Sequence, residues 1–298
     1  MLAAFNFYIC SMQQSFFTHH SSFTLNCRGK IIDLSVPKIM GILNVTPDSF
    51  SDGGKFISEK NALNHAEKLI SDGAEIIDIG PQSTRPNADF LTAEEEISRL
   101  GKIISSVKKE FPEILISVDT FWSETVKFAS DEGMDIINDI SAGQFDENMF
   151  QTVAESKLPY ILMHVNRDYQ SMHNKIKYSD ITVEVNKFLS EKSRILLDLG
   201  VKDIILDPGF GFGKTVEDQH QLLDETEFVG LGKFPVLIGI SRKSFIYKPL
   251  GKSPLDINEE TQKLHRKVLE KGAKILRVHD VAEAKITLDE FLKKEIQS

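Results

Sequence analysis

Three polar residues stand where apolar runs end: Asp119 in "LISVDT", Asn138 in "DIINDIS" and Asp207 in "DIILDPG". Gathered in one funnel, two carboxylates and a carboxamide would recognise a planar heterocycle with NH and NH2 donors beside carbonyl and ring-nitrogen acceptors. A carboxylate accepts from two adjacent donors, and Asn both donates and accepts. Any one of them could instead cap the next helix; their recurrence at three run ends favours a site. A metal held by Asp119 and Asp207 is a further option, although no His stands nearby in a ligand pattern. A second set is cationic: Arg85, Lys243, Arg277 and His279, in a chain of net charge −9. Arg277 and His279 alternate along "KILRVHD", so on a strand they share a face. Such a set suits phosphate or carboxylate, which Arg grips in bidentate fashion. "SRKS" (241–244) opens a helix whose backbone N–H groups favour an anion. The bland alternative is a set of surface cations paired with nearby acids.

Two loops carry further options. "TPDSFSDGG" (46–54) has the small polar residues and paired glycines of a closing loop. Asn44 and the acids of that loop offer oxygen ligands for Mg2+ shared with a pyrophosphate. "DPGFGFGKT" (207–215) ends like a P-loop, but Pro208 occupies the position of the required first glycine, so nucleotide hydrolysis is rejected. Its glycines let backbone approach a flat ligand, with Phe210 or Phe212 stacking on it; the alternative is a flexible loop with one buried Phe.

The elements that must position these groups follow from hydropathy. Apolar runs at 38–45, 75–80, 115–120, 135–141, 159–165, 203–209, 235–241 and 274–280 are nearly continuous in Ile, Val and Leu. Strands of a parallel sheet covered on both faces read this way. Helical stretches lie between them. Thr92 and Glu95 form a capping box ahead of a stripe of Ile97, Leu100, Ile104 and Val107. Val185, Leu189, Leu196 and Leu199 form another stripe. Gly73, Gly133, Gly200 and Gly272 sit where helix C-caps are expected. Eight such units predict a (β/α)8 TIM barrel, whose chemistry lies at the C-terminal strand ends. Residues 23–35 read as a hairpin turning at Arg28–Gly29 and plugging the barrel bottom.

With 298 residues, 41% of them hydrophobic, the chain can bury one large core. No broad basic stripe points to nucleic acid, and no apolar run reaches the ~18 residues of a membrane span. Cys10 and Cys27 make no disulfide framework or metal spacing, which favours a reducing, cytoplasmic setting. Residues 1–21 are Phe-rich, and no Lys or Arg precedes Arg28, so a secretory signal is not read there. They read as a disordered extension, leaving 22–298 as the barrel domain.

"GILNVTPDSFSDGG" and "IDIGPQSTRP" resemble the two signatures of the dihydropteroate synthase family, and "ISVDT", "IINDIS", "LDPGFGFGK", "GISRKSFI" and "RVHD" follow in that family's order. The resemblance covers about residues 23–295. It implies a pterin-binding (β/α)8 barrel, often a homodimer, that acts as a transferase in folate biosynthesis. The implied reaction joins 6-hydroxymethyl-7,8-dihydropterin pyrophosphate to p-aminobenzoate, with Mg2+, giving 7,8-dihydropteroate and pyrophosphate by a dissociative path. Sulfonamides compete with p-aminobenzoate in the family. Carried over by position, Asn44 would ligate Mg2+. Asp119, Asn138, Asp207 and Lys243 would hold the pterin, with Met163 and Phe212 beside its ring. Asn44, Arg277 and His279 would hold the pyrophosphate, and Phe50, Thr84, Arg85, Pro86 and Ser244 would shape the p-aminobenzoate pocket. The chain departs from the family's usual "DIGGESTRPGA" at Pro81, Gln82 and Asn87. Rival expectations are a corrinoid-type pterin methyltransferase, a class I aldolase using Lys243 as its Schiff-base amine, and a non-catalytic pterin-binding homologue.

Overall fold

The structure, a computed structural model, describes residues 22–45, 55–83, 90–165 and 171–297. The extension read over 1–21, the loop 46–54 and most of "STRPNAD" lie outside them.

Each apolar run delivers one strand. After a hairpin of β1 (Thr24–Cys27) and β2 (Lys30–Asp33) come β3 (Lys38–Asn44), β4 (Ile76–Gly80), β5 (Leu115–Asp119), β6 (Ile136–Asp139), β7 (Tyr160–Met163), β8 (Ile204–Asp207), β9 (Leu237–Ile238) and β10 (Ile275–Val278). The eight pair in parallel in the order β8-β7-β6-β5-β4-β3-β10-β9. A bridge between Leu206 and Val236 brings the two ends together as a barrel. The helices are α1 (Lys55–Ser71), α2 (Ala93–Leu100), α3 (Ile103–Glu110), α4 (Ser123–Asp131), α5 (Met149–Ser156), α6 (Ile181–Asp198), α7 (Val216–Asp224), α8 (Ser244–Tyr247), α9 (Asn258–Glu270) and α10 (Val281–Gln297).

Met40, Ile76, Leu115, Ile136, Ile161, Ile205, Leu237 and Ile275, one from each barrel strand, pack with Leu25, Cys27 and Leu34 around the hairpin. The hairpin therefore closes the bottom, as expected. Each such side chain contributes roughly 1.5–3 kcal/mol by leaving water. Arg28 and Gly29 take the positive φ values (54° and 89°) that a tight two-residue hairpin turn needs. Cys27 is a packing residue, its thiol pushed up to about 12 by burial.

Thr92 and Glu95 form the predicted capping box. The expected single stripe from Ile97 to Val107 is broken at Gly101, which takes a φ of 47° and divides α2 from α3. Glu96 is buried in α2 where the stripe pointed to Ile97. In α6, Val185, Leu189 and Leu196 are buried, whereas Leu199 caps the helix and is exposed.

Candidate active site

Strand geometry builds the site directly on the apolar floor. Side chains two residues apart point the same way, so stepping up by two from the floor residues gives Asp78, Asn138, Met163, Asp207 and Arg277. A further step gives Asn44, Asp119 and His279. The structure brings most of these together. Arg277 donates from Nε to Asp78 Oδ2 at 2.7 Å and from Nη2 to Asp119 Oδ2 at 2.9 Å. Nη2 also lies 2.6 Å from Asp78 Oδ2. Asn138 Nδ2 donates to the same Asp78 oxygen at 3.1 Å. Asp207 Oδ1 accepts from the Gly209 N–H at 2.7 Å. Asp119 and Asp207 are each 8% exposed, Asn138 4% and Asp78 0%.

Asp78 is the residue that reading strand ends missed, because it sits inside "EIIDIG" and not at its exit. Its signal was an acid inside an apolar strand, since a buried charge needs a partner. Burial pushes the Asp119 carboxyl up, Arg277 pulls it back down, and Asp78 and Asp139 add to the rise. Burial likewise raises Asp207, against the Gly209 N–H, Lys243 and Arg277.

The members of the cationic set differ in charge. Burial, with Arg242 and Arg277 nearby, drives His279 down to about 3, so its imidazole is neutral. Among the described residues, Nδ1 of this ring meets no hydrogen-bond partner. Among the described residues, Arg277 spends Nε and Nη2 on Asp78 and Asp119, which leaves Nη1. Burial and Arg277 lower Lys243 to about 8, and its ammonium lies 4.8 Å from the Phe212 ring centroid. The helix expected to open at "SRKS" is α8, only four residues long, so its dipole is small; Ser244 is its exposed first residue. Arg85, Phe50, Thr84 and Pro86 lie outside the described residues.

Beside the polar groups stands an apolar wall of Phe121, Ile140, Met163, Val165, Met172 and Phe212. Phe212 stacks on His173 with centroids 5.3 Å apart. Phe210 turns the other way, into the layer between barrel and helices, against Phe245. Of the two candidates for stacking, Phe212 is therefore the one on the inner side.

Asn44 ends β3 with its Oδ1 close over Gly80, 3.2 Å from where a Cβ there would stand. No group of three His, Cys, Asp or Glu suited to a metal occurs among the described residues. The departures at Pro81 and Gln82 have partners. Arg99 Nη1 donates to the Pro81 carbonyl at 3.0 Å, and Gln82 Oε1 accepts from the Leu91 N–H at 3.0 Å. Trp122 Nε1 donates to the Leu91 carbonyl at 2.9 Å, closing the same neck. A cavity of about 610 Å3 lies at the opposite end of the barrel, against the hairpin. Its Lys30 and Lys38 are paired with Glu113 and Glu75, and none of the polar site groups named above lines it.

A cluster of acids and an amide, walled by Met and Phe at the strand exits, meets a matching family. The pterin binding enzyme family matches residues 40–279. Dihydropteroate synthase of Streptococcus pyogenes serotype M3 is 43% identical over 257 residues, 85% of this chain and 94% of that protein. The Haemophilus influenzae enzyme is 44% identical over 264 residues, 87% and 94% of the two chains. The chain belongs to the dihydropteroate synthase family. Among solved structures, the Xanthomonas albilineans synthase with 4-aminobenzoic acid superposes with a TM-score of 0.85 at 36% identity, covering 93% of this chain and 99% of that one. The same organism's synthase in complex with 7,8-dihydropteroate gives 0.81 at 33% identity, with coverages of 93% and 99%. As a member of the dihydropteroate synthase family, the chain is an enzyme of the transferase class.

Proposed function

We propose that the chain condenses 6-hydroxymethyl-7,8-dihydropterin pyrophosphate with p-aminobenzoate, releasing pyrophosphate and forming 7,8-dihydropteroate. The observation that carries this reading is the Asp119, Asn138 and Asp207 set facing one funnel beside Met163 and Phe212, in a chain of this family. The two acids and the amide match the donors and acceptors along the pterin edge. Met163 and Phe212 cover the ring, and the Lys243 ammonium donates to a ring acceptor.

The carbon–oxygen bond to pyrophosphate breaks first, and the pterin methylene is left as a ring-stabilised cation. Buried Asp119 and Asp207 favour that positive charge at short range. Arg277 Nη1 and the neutral His279 N–H donate to the departing oxygens. The p-aminobenzoate nitrogen then attacks the methylene and releases its proton to solvent. That amine is uncharged near neutral pH, so no general base is required. Thr84, Arg85, Pro86, Phe50 and Ser244 are proposed to form the p-aminobenzoate pocket, where a sulfonamide would compete. Mg2+ bound through Asn44 would supply charge neutralisation for the leaving pyrophosphate. A single protein ligand suits an ion that keeps most of its waters and shares phosphate oxygens. We further propose a cytoplasmic homodimer, with Leu255 and Ile286 (71% and 60% exposed) near its contact.

The deciding experiment is pyrophosphate release from the dihydropterin pyrophosphate, with and without p-aminobenzoate, Mg2+ and EDTA. Release that needs both partners, stops with EDTA and yields dihydropteroate supports the synthase. Pterin binding without turnover would replace it with a non-catalytic pterin-binding protein.

A further inference from the structure

"DPGFGFGKT" carries a lysine, Lys214, just before its final threonine. Lys214 is 3% exposed, and a buried amine needs acceptors. It finds two carbonyls, Gly209 at 2.8 Å and Phe212 at 3.2 Å, which bracket the loop between β8 and α7. Other ties hold the same loop. Asp207 Oδ1 takes the Gly209 N–H, Gln219 Oε1 takes the Gly211 N–H at 2.8 Å, and Thr215 with Asp218 caps α7.

The glycines explain how backbone fits among these groups. Gly209 and Gly211 have φ values of +71° and +85°. A Cβ at Gly209 would stand 2.1 Å from the His164 carbonyl oxygen and 3.2 Å from Lys214 Nζ. One at Gly211 would stand 3.1 Å from Lys243 Cδ. The loop thus threads between two lysines. Lys214 grips its carbonyls, while the Lys243 ammonium lies over the Phe212 ring. Burial lowers Lys214 to about 7, against Asp207 and Asp218, which raise it, and with Lys243 lowering it further. A neutral amine still has two N–H groups for two carbonyls, so the grip survives loss of the proton.

We propose that Lys214 is a positioning residue for the pterin half of the site. By drawing together the Gly209 and Phe212 carbonyls, it fixes the Phe212 ring against the apolar wall and beneath Lys243, and steadies the turn that leaves Asp207. It touches no substrate itself. The proposal rests on the synthase reading for its kinetic consequence, but not for its effect on pterin binding.

The test is Lys214→Met, which keeps the stem and removes the donors. Two readouts are taken: steady-state kinetics with both substrates, and calorimetric binding of 6-hydroxymethylpterin. The expected result is a rise of about tenfold in KM for the dihydropterin pyrophosphate and in Kd for the pterin, with KM for p-aminobenzoate within about twofold of wild type. Lys214→Gln, which keeps an N–H donor on a shorter stem, should fall in between, and it carries the test if Lys214→Met does not fold. A folded variant that binds the pterin as wild type does, or in which both KM values rise together, overturns the proposal. If wild type makes no dihydropteroate, the synthase reading fails, and a weakened pterin Kd in the variant still supports the role of Lys214.

Discussion

Asp78 shows what one buried charge does for its neighbours. Its carboxylate is 0% exposed, and a single oxygen takes both Arg277 nitrogens and the Asn138 amide. The Asn138 amide and the Arg277 guanidinium are therefore oriented by the same atom. Asp78→Asn keeps the shape and one acceptor but loses the charge. Removing charge from a buried, hydrogen-bonded pair costs about 1–3 kcal/mol, which urea denaturation would read. Arg277 would then lean on Asp119 alone, and a shift of about 1 Å in a positioned group can cost ~10²-fold in rate. We expect kcat/KM for the dihydropterin pyrophosphate to fall by about that factor; a folded Asp78→Asn enzyme within about threefold of wild type would refute the role. Asp119, Asn138 and Asp207 were legible because each interrupts an apolar run at its end. Asp78 was not, because a charge inside a strand reads as noise until alternation from the floor residues is counted.

At the scale of elements, α2 carries the same lesson. Its capping box and Leu100 were legible from spacing, but reading only apolar residues as inward hid Glu96. That side chain is 0% exposed and accepts from Thr120 Oγ1 at 2.5 Å, tying α2 to the residue after Asp119. Burial raises Glu96 to about 8, against hydrogen bonds from Thr120 and Thr125. In the unfolded chain it titrates near the ordinary glutamate value of 4.5. Between those values the folded state holds a proton that the unfolded state has lost, so this contribution to stability is present below about 4.5 and is lost as pH climbs through 8. Glu96→Gln keeps an acceptor for Thr120 and has nothing to titrate. Its stability relative to wild type should grow from under ~1 kcal/mol at pH 5 to a few kcal/mol at pH 8. Urea midpoints across that range measure it. A constant difference would mean that Glu96 is ionised in the fold.

The whole barrel was legible as eight runs, because strands buried on both faces leave nearly continuous apolar sequence. What the runs concealed was how unequally the strands pair. "PVLIGIS" reads as a seven-residue strand, yet β9 is only Leu237–Ile238. Pro235 has no N–H to give, although its carbonyl accepts from Leu206 N at 2.9 Å. Across the β8–β9 seam the pairing is the bridge of Leu206 with Val236, whereas β3 and β4 pair through five residues. Asp78, Asp119 and Asn138 thus stand on the well-paired side of the barrel. Asp207 and Lys243 straddle its thinnest seam. Local opening follows pairing and contact density, so amides of Leu237 and Ile238 should exchange through openings at least ~2 kcal/mol cheaper than those of Ile77 and Ile79. A ligand touching both Asp207 and Lys243 binds only the closed seam, and it stabilises that state by mass action. Native-state hydrogen exchange with saturating 6-hydroxymethylpterin should therefore slow Leu237 and Ile238 far more than Ile77 and Ile79. Uniform protection in the free protein would show that the helices, and not the strand ladder, hold the barrel shut. Equal slowing of both strand pairs by the ligand would place the pterin away from the seam.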